Sequence, residues 1–257
     1  MNLDDRLTNV LRDVHSRIQD TQSPSVDEIL SLIDLTNLDP MATPMEINRL
    51  ATSAYEHHTA AICILPEHLH HVPVENSIRR ATVMNFPYGN FQIKEVLQTI
   101  DQAARGERLD EIDYVFPYQS YLSGDQVQAL SDCNEVYRSC KEHQLTFKVI
   151  LETGALPSND MIYELSTSIL QQGCDFIKTS TGKIANGATL PAVFSILSAI
   201  LDTNISCGIK VSGGIKTTEQ AHTYIRLATY MLNIPVNNQW FRFGASSLLD
   251  NLLRTYI

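Results

Sequence analysis

Short runs of apolar and β-branched residues recur along most of the chain, with helical patterns between them. Several runs are apolar almost throughout, which is typical of parallel strands buried on both faces. One intervening helical stripe consists of Ile93, Val96, Leu97, Ile100 and Ala104. Eight strands alternating with helices within one domain of about 250 residues predict an α/β fold, the (β/α)8 TIM barrel. The eight runs are 30–36, 60–66, 81–87, 111–117, 146–153, 175–181, 207–214 and 240–247.

The alternative fold is an open, doubly wound sheet. Such a sheet usually has fewer strands, and the G-x-G-x-x-G motif expected after its first strand is absent. Before the first run, apolar residues at helical spacing predict an amphipathic helix over residues 3–20, and a polar linker around Pro24 follows it. We therefore predict an N-terminal helix and linker over 1–28 and a catalytic barrel domain over 29–257.

Composition narrows the class of protein. Hydrophobic residues make up 44% of the 257 residues and charged residues 19%, which argues against a disordered chain. The net charge of −10 argues against nucleic-acid or anionic-membrane partners but allows a pocket for a small phosphorylated ligand. Five cysteines without a C-x-x-C pair, and an acidic N-terminus unlike a signal peptide, predict a cytoplasmic protein without structural zinc.

Charged residues inside the apolar runs are the candidates for chemistry. A charge there is costly unless it is paired or functional, and a barrel builds its active site at the carboxyl ends of its strands. Taken singly, each is compatible with a surface position or a structural ion pair. Two lysines on consecutive strands, each flanked by apolar residues, favour a functional site. Five runs contain such a residue: Asp34, Asp113, Lys148, Lys178 and Lys210.

Two lysines in one interior suggest carbonyl chemistry. Like charge and desolvation both lower the pKa of a lysine, and a lysine that is neutral near pH 7 can form a Schiff base. An aspartate nearby can move protons. Lys178, Lys210 and Asp113 are our candidates for the nucleophile, the second cation and the proton carrier.

Glycines and serines at the ends of the last three runs, or directly after them, suggest an anion site. Loops after strands seven and eight, beside a helix N-terminus, are where barrels commonly hold phosphate. Each loop alone is compatible with a simple turn or a helix cap, whereas three on adjacent strands favour a binding site. The residues concerned are Gly182, Lys183, Gly213, Gly214, Gly244, Ser246 and Ser247.

The histidines around the second run are not interpreted as metal ligands. His57 and His58 precede the strand, at the wrong end of the barrel, and His68, His70 and His71 are adjacent in sequence. We expect all five on surface helices and loops. Cys63 is expected to be a small core residue, or a reactive thiol if it faces the pocket.

Several motifs together resemble the deoxyribose-phosphate aldolases. The resemblance covers roughly residues 29 to 253. It implies a class I aldolase that needs no metal or other cofactor and cleaves 2-deoxy-D-ribose 5-phosphate to D-glyceraldehyde 3-phosphate and acetaldehyde, in deoxyribonucleotide catabolism. The motifs are Lys178-Thr-Ser-Thr-Gly-Lys183, Gly208-Ile-Lys210 with Gly213-Gly214, Arg242-Phe-Gly-Ala-Ser-Ser247, Thr59-Ala-Ala-Ile-Cys63, Asn85-Phe-Pro-Tyr-Gly89, and Asp110-Glu-Ile-Asp113 with Val115-Phe-Pro117.

Carried over by position, the resemblance implies that Lys178 forms the Schiff base, Lys210 promotes its deprotonation and Asp113 relays protons. The resemblance also implies that the glycine- and serine-containing loops bind the phosphate of the substrate. Other pocket positions are Asp34, Thr36, Cys63, Lys148 and Glu152.

The chain also departs from the family pattern. Lys216 stands where many relatives have Arg, and Tyr256 falls in the predicted last helix, so we do not assign it the proton-transfer role of a tail tyrosine. The N-terminal helix has no clear counterpart. We expect it to cover the barrel bottom or to contribute to a homodimer.

Two competing functions stay open at this point. Another lysine-dependent barrel aldolase, of the transaldolase or keto-acid type, would explain Lys210 less well. A catalytically inactive barrel that binds a sugar phosphate would have no reason to keep Lys178, Lys210 and Asp113 inside strands.

Overall fold

The computed structural model is a closed barrel of eight parallel strands in sequential order, which confirms the predicted fold. It describes residues 3–16, 24–73, 77–106 and 108–254. Each strand pairs with its sequence neighbours, and β1 pairs with β8 to close the barrel. The strands are β1 Ile33–Asn37, β2 Ala61–Ile64, β3 Arg80–Met84, β4 Glu111–Val115, β5 Thr146–Ile150, β6 Phe176–Lys178, β7 Gly208–Ser212 and β8 Phe241–Ala245.

Helices follow the strands and form an outer layer around the barrel. Short 3₁₀ helices also occur at Pro66–His71 and Thr153–Ala155. None of the helices in the described ranges is long and apolar enough to span a membrane. The α-helices are α1 Leu3–Ser16, α2 Val26–Leu30, α3 Pro44–Glu56, α4 Ile93–Gly106, α5 Tyr118–Leu122, α6 Gln126–Glu142, α7 Asn159–Gln172, α8 Leu190–Thr203, α9 Thr218–Leu232 and α10 Leu248–Arg254.

The period-two alternation of each strand separates an apolar layer from a charged interior. Outward residues such as Ile177, Ile209 and Phe243 join the hydrophobic core between barrel and helices. Inward residues include Lys178 and Lys210, which are neighbours in the register of β6 and β7. The fold therefore places charged side chains of several strands inside a shell of apolar residues.

Helix α1 lies along the outside of the helical layer. It contacts α7, α8 and α9, and its half-buried side chains Leu3, Leu7 and Val10 pack against the core. Arg6 binds Asp202 of α8 at 2.9 Å. The expectation that this helix covers the barrel bottom is therefore wrong for residues 3–16. The predicted helical residues 17–20 and linker residues 21–23 lie outside the described residues, as does Tyr256.

Candidate active site

Three lysines of three consecutive strands meet on one carboxylate, that of Asp113 on β4. Lys178 Nζ and Lys210 Nζ each donate to Asp113 Oδ2 at 2.7 Å, and Lys148 Nζ donates to Oδ1 at 2.9 Å. Burial alone would raise the pKa of Asp113, but the lysines outweigh it and hold that pKa well below its usual range. Asp113 is therefore an ionised acceptor at neutral pH.

A second carboxylate, Asp34 of β1, lies on the other side of Lys210. Asp34 Oδ2 is 2.6 Å from Lys210 Nζ, and Asp34 Oδ1 accepts from Arg242 Nη1 at 2.6 Å. Burial works against ionisation, but Lys210 and Arg242 lower the pKa of Asp34. Burial would likewise lower the pKa of Lys210, yet Asp113 and Asp34 raise it. Lys210 is therefore held as a cation.

The third carboxylate, Glu111 of β4, lies two residues before Asp113. It forms an ion pair with Lys148 and accepts from Arg242 Nη2 at 3.3 Å. Burial opposes the charge of Glu111, but Lys148 and Arg242 lower its pKa. The Arg242 guanidinium also lies 5.5 Å from the ring centre of Phe176. Arg242 is therefore fixed by two carboxylates and an aromatic face.

Lys178 differs from the other two lysines in position and in partners. It is the last residue of β6, and it is 2% exposed whereas Lys148 and Lys210 are fully buried. It donates to one carboxylate, whereas Lys210 lies between two. Of the three amines, Lys178 is thus the one that an aldehyde arriving at the carboxyl ends of the strands meets first.

Cys63 of β2 faces the charged interior. It is fully buried in an apolar cluster with Leu65 and Val83, as expected of a small core residue, and its Sγ also donates to Asp113 Oδ2 at 3.8 Å. Burial raises the pKa of the thiol, and the cysteine is therefore held protonated. Thr36 is half-buried on β1 and donates to the Asp34 carbonyl at 2.8 Å.

Glu152 fastens the loop after β6 to the end of β5. It adopts the left-handed conformation with φ of 56°, is fully buried and accepts from Thr181 N at 3.3 Å and from the Thr181 hydroxyl. Burial raises the pKa of Glu152 although these hydrogen bonds oppose the shift. Glu152 therefore supports the turn that begins at Gly182.

The loops after β6 and β7 form one packed unit. Ala188 N donates to Gly213 O at 3.0 Å, and a Cβ on Gly187 would lie 2.3 Å from that same oxygen. Gly213 and Gly214 have φ of 90° and 89°, which side chains other than glycine rarely adopt. Ser246 is exposed and Ser247 half-buried immediately before α10. The candidate phosphate loops thus lie side by side at the carboxyl ends of adjacent strands.

Two residues expected at the phosphate site have other contacts. Lys183 Nζ donates to the Leu38 carbonyl at 3.0 Å, beside Phe86. Gly244 lies inside the barrel, where an added Cβ would be 3.0 Å from Lys210 Cε. The absence of a side chain at Gly244 therefore makes room for Lys210, a role that the sequence did not suggest.

From the sequence, Glu111 and Arg242 have no predicted role, and an internal charge is predicted in only five runs. That count is wrong, because β8 contains Arg242 and β3 contains the buried Arg80. The sequence contains a sign of both positions. Glu111 is two residues from Asp113 and so shares its face of the strand, and Arg242 stands between two phenylalanines.

The expectation for the histidines is wrong at one position. His68 is buried, and its Nε2 lies 3.1 Å from the Asp39 carbonyl, because the 3₁₀ helix after β2 folds back over the loop after β1. His58 and His70 are exposed, and His57 and His71 are half-buried. In the ranges that the structure covers, no three His, Cys, Asp or Glu side chains are arranged to hold a metal ion.

Comparison with known proteins gives the family. The model of the DeoC/LacD family aldolases matches residues 29–253. The deoxyribose-phosphate aldolase of Agrobacterium fabrum (strain C58 / ATCC 33970) is 42% identical over 231 residues, which cover 87% of this chain and 88% of that protein. The family model covers the eight strands and the loops that follow them.

Solved structures share the fold. The aldolase QR15 has a TM-score of 0.77 at 25% identity, covering 89% of this chain and 96% of its own. A tetrameric deoxyribose phosphate aldolase from Aeropyrum pernix has a TM-score of 0.75 at 22% identity, covering 96% of both chains. With the family model matched over the whole barrel, the chain belongs to the DeoC/LacD family of aldolases.

Proposed function

We propose that this chain is a deoxyribose-phosphate aldolase, which cleaves 2-deoxy-D-ribose 5-phosphate reversibly to D-glyceraldehyde 3-phosphate and acetaldehyde. The observation that supports it most directly is that Lys178 and Lys210 both bind the same oxygen of Asp113, at 2.7 Å. An amine at the carboxyl end of its strand, a second lysine held as an ammonium and a carboxylate shared by both are groups that suit Schiff-base chemistry. The reaction belongs to deoxyribonucleotide breakdown, and the reduced cysteines favour the cytoplasm as its location.

The first step joins Lys178 to the substrate. The neutral amine attacks C1 of the open-chain sugar, and the carbonyl oxygen takes up a proton to give a carbinolamine. Loss of that oxygen as water leaves a protonated imine on Nζ. The positive charge then lies where the Lys178 ammonium was, 2.7 Å from Asp113 Oδ2, so the carboxylate stabilises it without moving.

The second step breaks the bond between C2 and C3. A base removes the proton of the C3 hydroxyl, C3 becomes the aldehyde of glyceraldehyde 3-phosphate, and the electron pair of the broken bond passes to the imine nitrogen. The resulting enamine takes a proton at C2, and water hydrolyses the imine to acetaldehyde and free Lys178. Electron pairs and protons balance within the substrate, water and Lys178.

Asp113 acts in these steps as a hydrogen-bond acceptor between proton donors. The pKa of Asp113 is held well below its usual range because Lys148, Lys178 and Lys210 outweigh its burial, so a proton rests on it only briefly. Lys210, whose pKa is raised by Asp113 and Asp34 against its burial, remains an ammonium and stabilises the charge of Asp113. Asp113 thus passes the proton that Lys178 releases to the departing hydroxyl of the carbinolamine, directly or through water.

The phosphate of the substrate binds to the loops after β6, β7 and β8. Backbone amides in these loops can donate hydrogen bonds to an anion. They belong to the exposed residues Gly182 and Gly214 and to the first turn of α10 beside Ser246. These loops lie beyond the carboxyl end of β6, where Lys178 is. A substrate held by its phosphate at one end would present its aldehyde end to the amine.

Borohydride trapping tests the proposal. Acetaldehyde with borohydride should leave an ethyl group on Lys178, and peptide mass mapping should find it there. Lys178→Arg keeps the charge but should lower retro-aldol activity roughly 10³-fold or more and abolish the label. Lys141→Arg, which alters a lysine paired with Asp175 at the other end of the barrel, is the matched control and should retain activity.

Three outcomes would contradict the proposal. If the label appeared on another lysine, Lys178 would not be the nucleophile. If deoxyribose 5-phosphate bound but was not cleaved, the inactive binding protein would be the better interpretation. Cleavage of 2-keto acids instead would favour the other class of lysine aldolase.

A further inference from the structure

Six charged side chains inside the barrel form a closed ring of ion pairs. In one direction, Arg242 binds Asp34 at 2.6 Å, Asp34 binds Lys210 at 2.6 Å, and Lys210 binds Asp113 at 2.7 Å. The cations and anions alternate along this arc. It connects β8, β1, β7 and β4, so it crosses the barrel interior and does not follow one strand.

A second arc returns from Asp113 to Arg242. Lys148 binds Asp113 at 2.9 Å and forms an ion pair with Glu111, and Glu111 accepts from Arg242 Nη2 at 3.3 Å. The two arcs meet at Asp113 near the reacting lysine and at Arg242 on the far side. We call these six residues the charge ring: Arg242, Asp34, Lys210, Asp113, Lys148 and Glu111.

The charge ring is electrically neutral, and Lys178 is attached to it from outside. Three cations alternate with three carboxylates, and Lys178 binds only Asp113 among them, at 2.7 Å. The seven groups together therefore have one excess positive charge. Because all seven are almost fully buried, that excess charge is costly and favours the release of one proton.

The hydrogen bonds decide which lysine releases it. Lys210 pairs with two carboxylates and Lys148 with three, the third being Asp34 across the ring at 3.9 Å, whereas Lys178 has one. Loss of a proton from Lys148 or Lys210 would break at least two ion pairs and open the ring. Loss from Lys178 breaks one and leaves the ring neutral and closed.

We propose that Glu111 and Arg242 are positioning residues that close the charge ring and thereby make Lys178 the amine that is deprotonated for catalysis. The inference rests on the proposed function, because it concerns how the Schiff-base lysine becomes neutral. Both residues lie near the amino ends of their strands, away from the carboxyl ends where the substrate is proposed to bind. Arg242 lies at the end of the ring opposite Asp113, and Glu111 precedes Asp113 by two positions toward the amino end of β4.

Other charged or titratable groups also face Lys178, and they limit how strongly Glu111 and Arg242 influence its deprotonation. Glu152 is the group outside the ring whose charge would matter most, but burial raises its pKa and its carboxyl is engaged by Thr181. Cys63 is held as a thiol, because burial raises its pKa. The groups next to Lys178 are Cys63 of β2, Asp113 of β4, Glu152 after β5 and Lys210 of β7, and the other members of the charge ring lie beyond Asp113 and Lys210.

Two substitutions of opposite sign test the inference through the pH dependence of retro-aldol kcat/KM. Glu111→Gln removes a negative charge, so the excess positive charge grows and the acid limb should move to lower pH by roughly one unit. Arg242→Met removes a positive charge and should move the acid limb to higher pH by a similar amount. The double variant restores neutrality and should return the limb to within about 0.3 units of its original position.

Matched controls separate charge from structure. Arg79 lies 3.5 Å from Glu111 but is half exposed, so Arg79→Met should leave the acid limb in place. Arg242→Lys keeps the charge without the fork that joins two carboxylates, and it should shift the limb less than Arg242→Met. Thermal unfolding of each variant checks that the barrel is intact, and Glu111→Gln, the isosteric change, decides the matter if Arg242→Met fails to fold.

Limbs that stay in place in Glu111→Gln, or move the same way in both single variants, would overturn the inference. A lower activity with an unchanged limb would assign Glu111 and Arg242 a merely structural role. Failure of the proposed function looks different, because the unmodified protein would then form no borohydride adduct at Lys178 and would cleave no substrate.

Discussion

At the scale of single residues, the site depends on where a side chain is absent as well as on where one is present. Gly244 lies opposite Ser212 in the register of β7 and β8. A Cβ at this position would be 2.9 Å from Ser212 Cβ and 3.0 Å from Lys210 Cε, closer than real Cβ atoms usually approach. Gly244 therefore leaves the space that the Lys210 side chain occupies. It also precedes the loop where phosphate is proposed to bind.

Gly244→Ala should reduce turnover more than binding. Displacing the Lys210 stem moves its ammonium from Asp34 and Asp113, so kcat should fall about tenfold or more while KM for deoxyribose 5-phosphate changes less than about threefold. Steady-state kinetics measure both. Gly106→Ala, where a Cβ has open space, is the matched control and should change neither. A higher KM with unchanged kcat would instead assign Gly244 to the phosphate.

The sequence identified some residues of the site and missed others for a physical reason. Lys178 and Asp113 could be found because a charge in an apolar strand is unusual wherever the strand lies. The closing role of Arg242 could not, since its partners come from β1 and β4, and strand order alone does not show which inward side chains touch. His68 was misjudged because the fold of the loop after β1, not the sequence pattern, buries it.

At the scale of elements, the three candidate phosphate loops are tied to one another. Gly213 and Ala188 join the loops after β7 and β6, and Asn251 of α10 donates to the Lys216 carbonyl at 2.7 Å. Glu152 fixes the start of the first loop. An anion bound to this surface would contact a preformed unit, which lowers the entropic cost of binding.

A negative charge on this surface should weaken binding of the phosphate selectively. Gly214→Asp is expected to raise KM for deoxyribose 5-phosphate about tenfold or more, with a smaller effect on unphosphorylated deoxyribose. Gly214→Asn is the matched control, since it strains the same backbone with φ of 89° without adding charge, and its KM should rise much less. Equal losses on both substrates, or equal effects of Asp and Asn, would show that the loop does not bind the phosphate.

The apolar pattern predicts which segments form strands better than it predicts where each strand ends. All eight apolar runs overlap a strand, but in the run at 146–153 the strand ends at Ile150, and in the run at 207–214 it ends at Ser212. In both, the chain turns with positive φ, at Glu152 and at Gly213. Apolar composition predicts burial, and it does not show where the backbone leaves the sheet.

At the scale of the whole molecule, the N-terminal helix is an addition to the outside of the barrel. Tyr163 and Arg6 both bind Asp202, and Tyr230 donates to Asp13 at 2.7 Å, so polar contacts border the apolar stripe. The amphipathic pattern of α1 predicted a buried face but not what that face covers. The homodimer remains a prediction, which a substitution in α1 can test.

Leu7→Asp should lower stability without changing catalysis. It places a charge on the half-buried face of α1 against the core, and we expect a loss of about 1 to 2 kcal/mol and a Tm lower by a few degrees. The values of kcat and KM should change less than about twofold, because the charge ring and the loops contact other elements. Val127→Asp, at an exposed position of α6, is the matched control and should leave Tm within about one degree.

The same variant separates the two roles that α1 can have. Light scattering should give Leu7→Asp the mass of the unmodified protein if α1 only covers α7, α8 and α9 of its own chain. A mass that falls to that of one chain would show that α1 contributes to an oligomer, and Tm would then depend on protein concentration. Loss of activity in step with that dissociation would contradict a purely peripheral helix, because the barrel alone supplies every group proposed for the reaction.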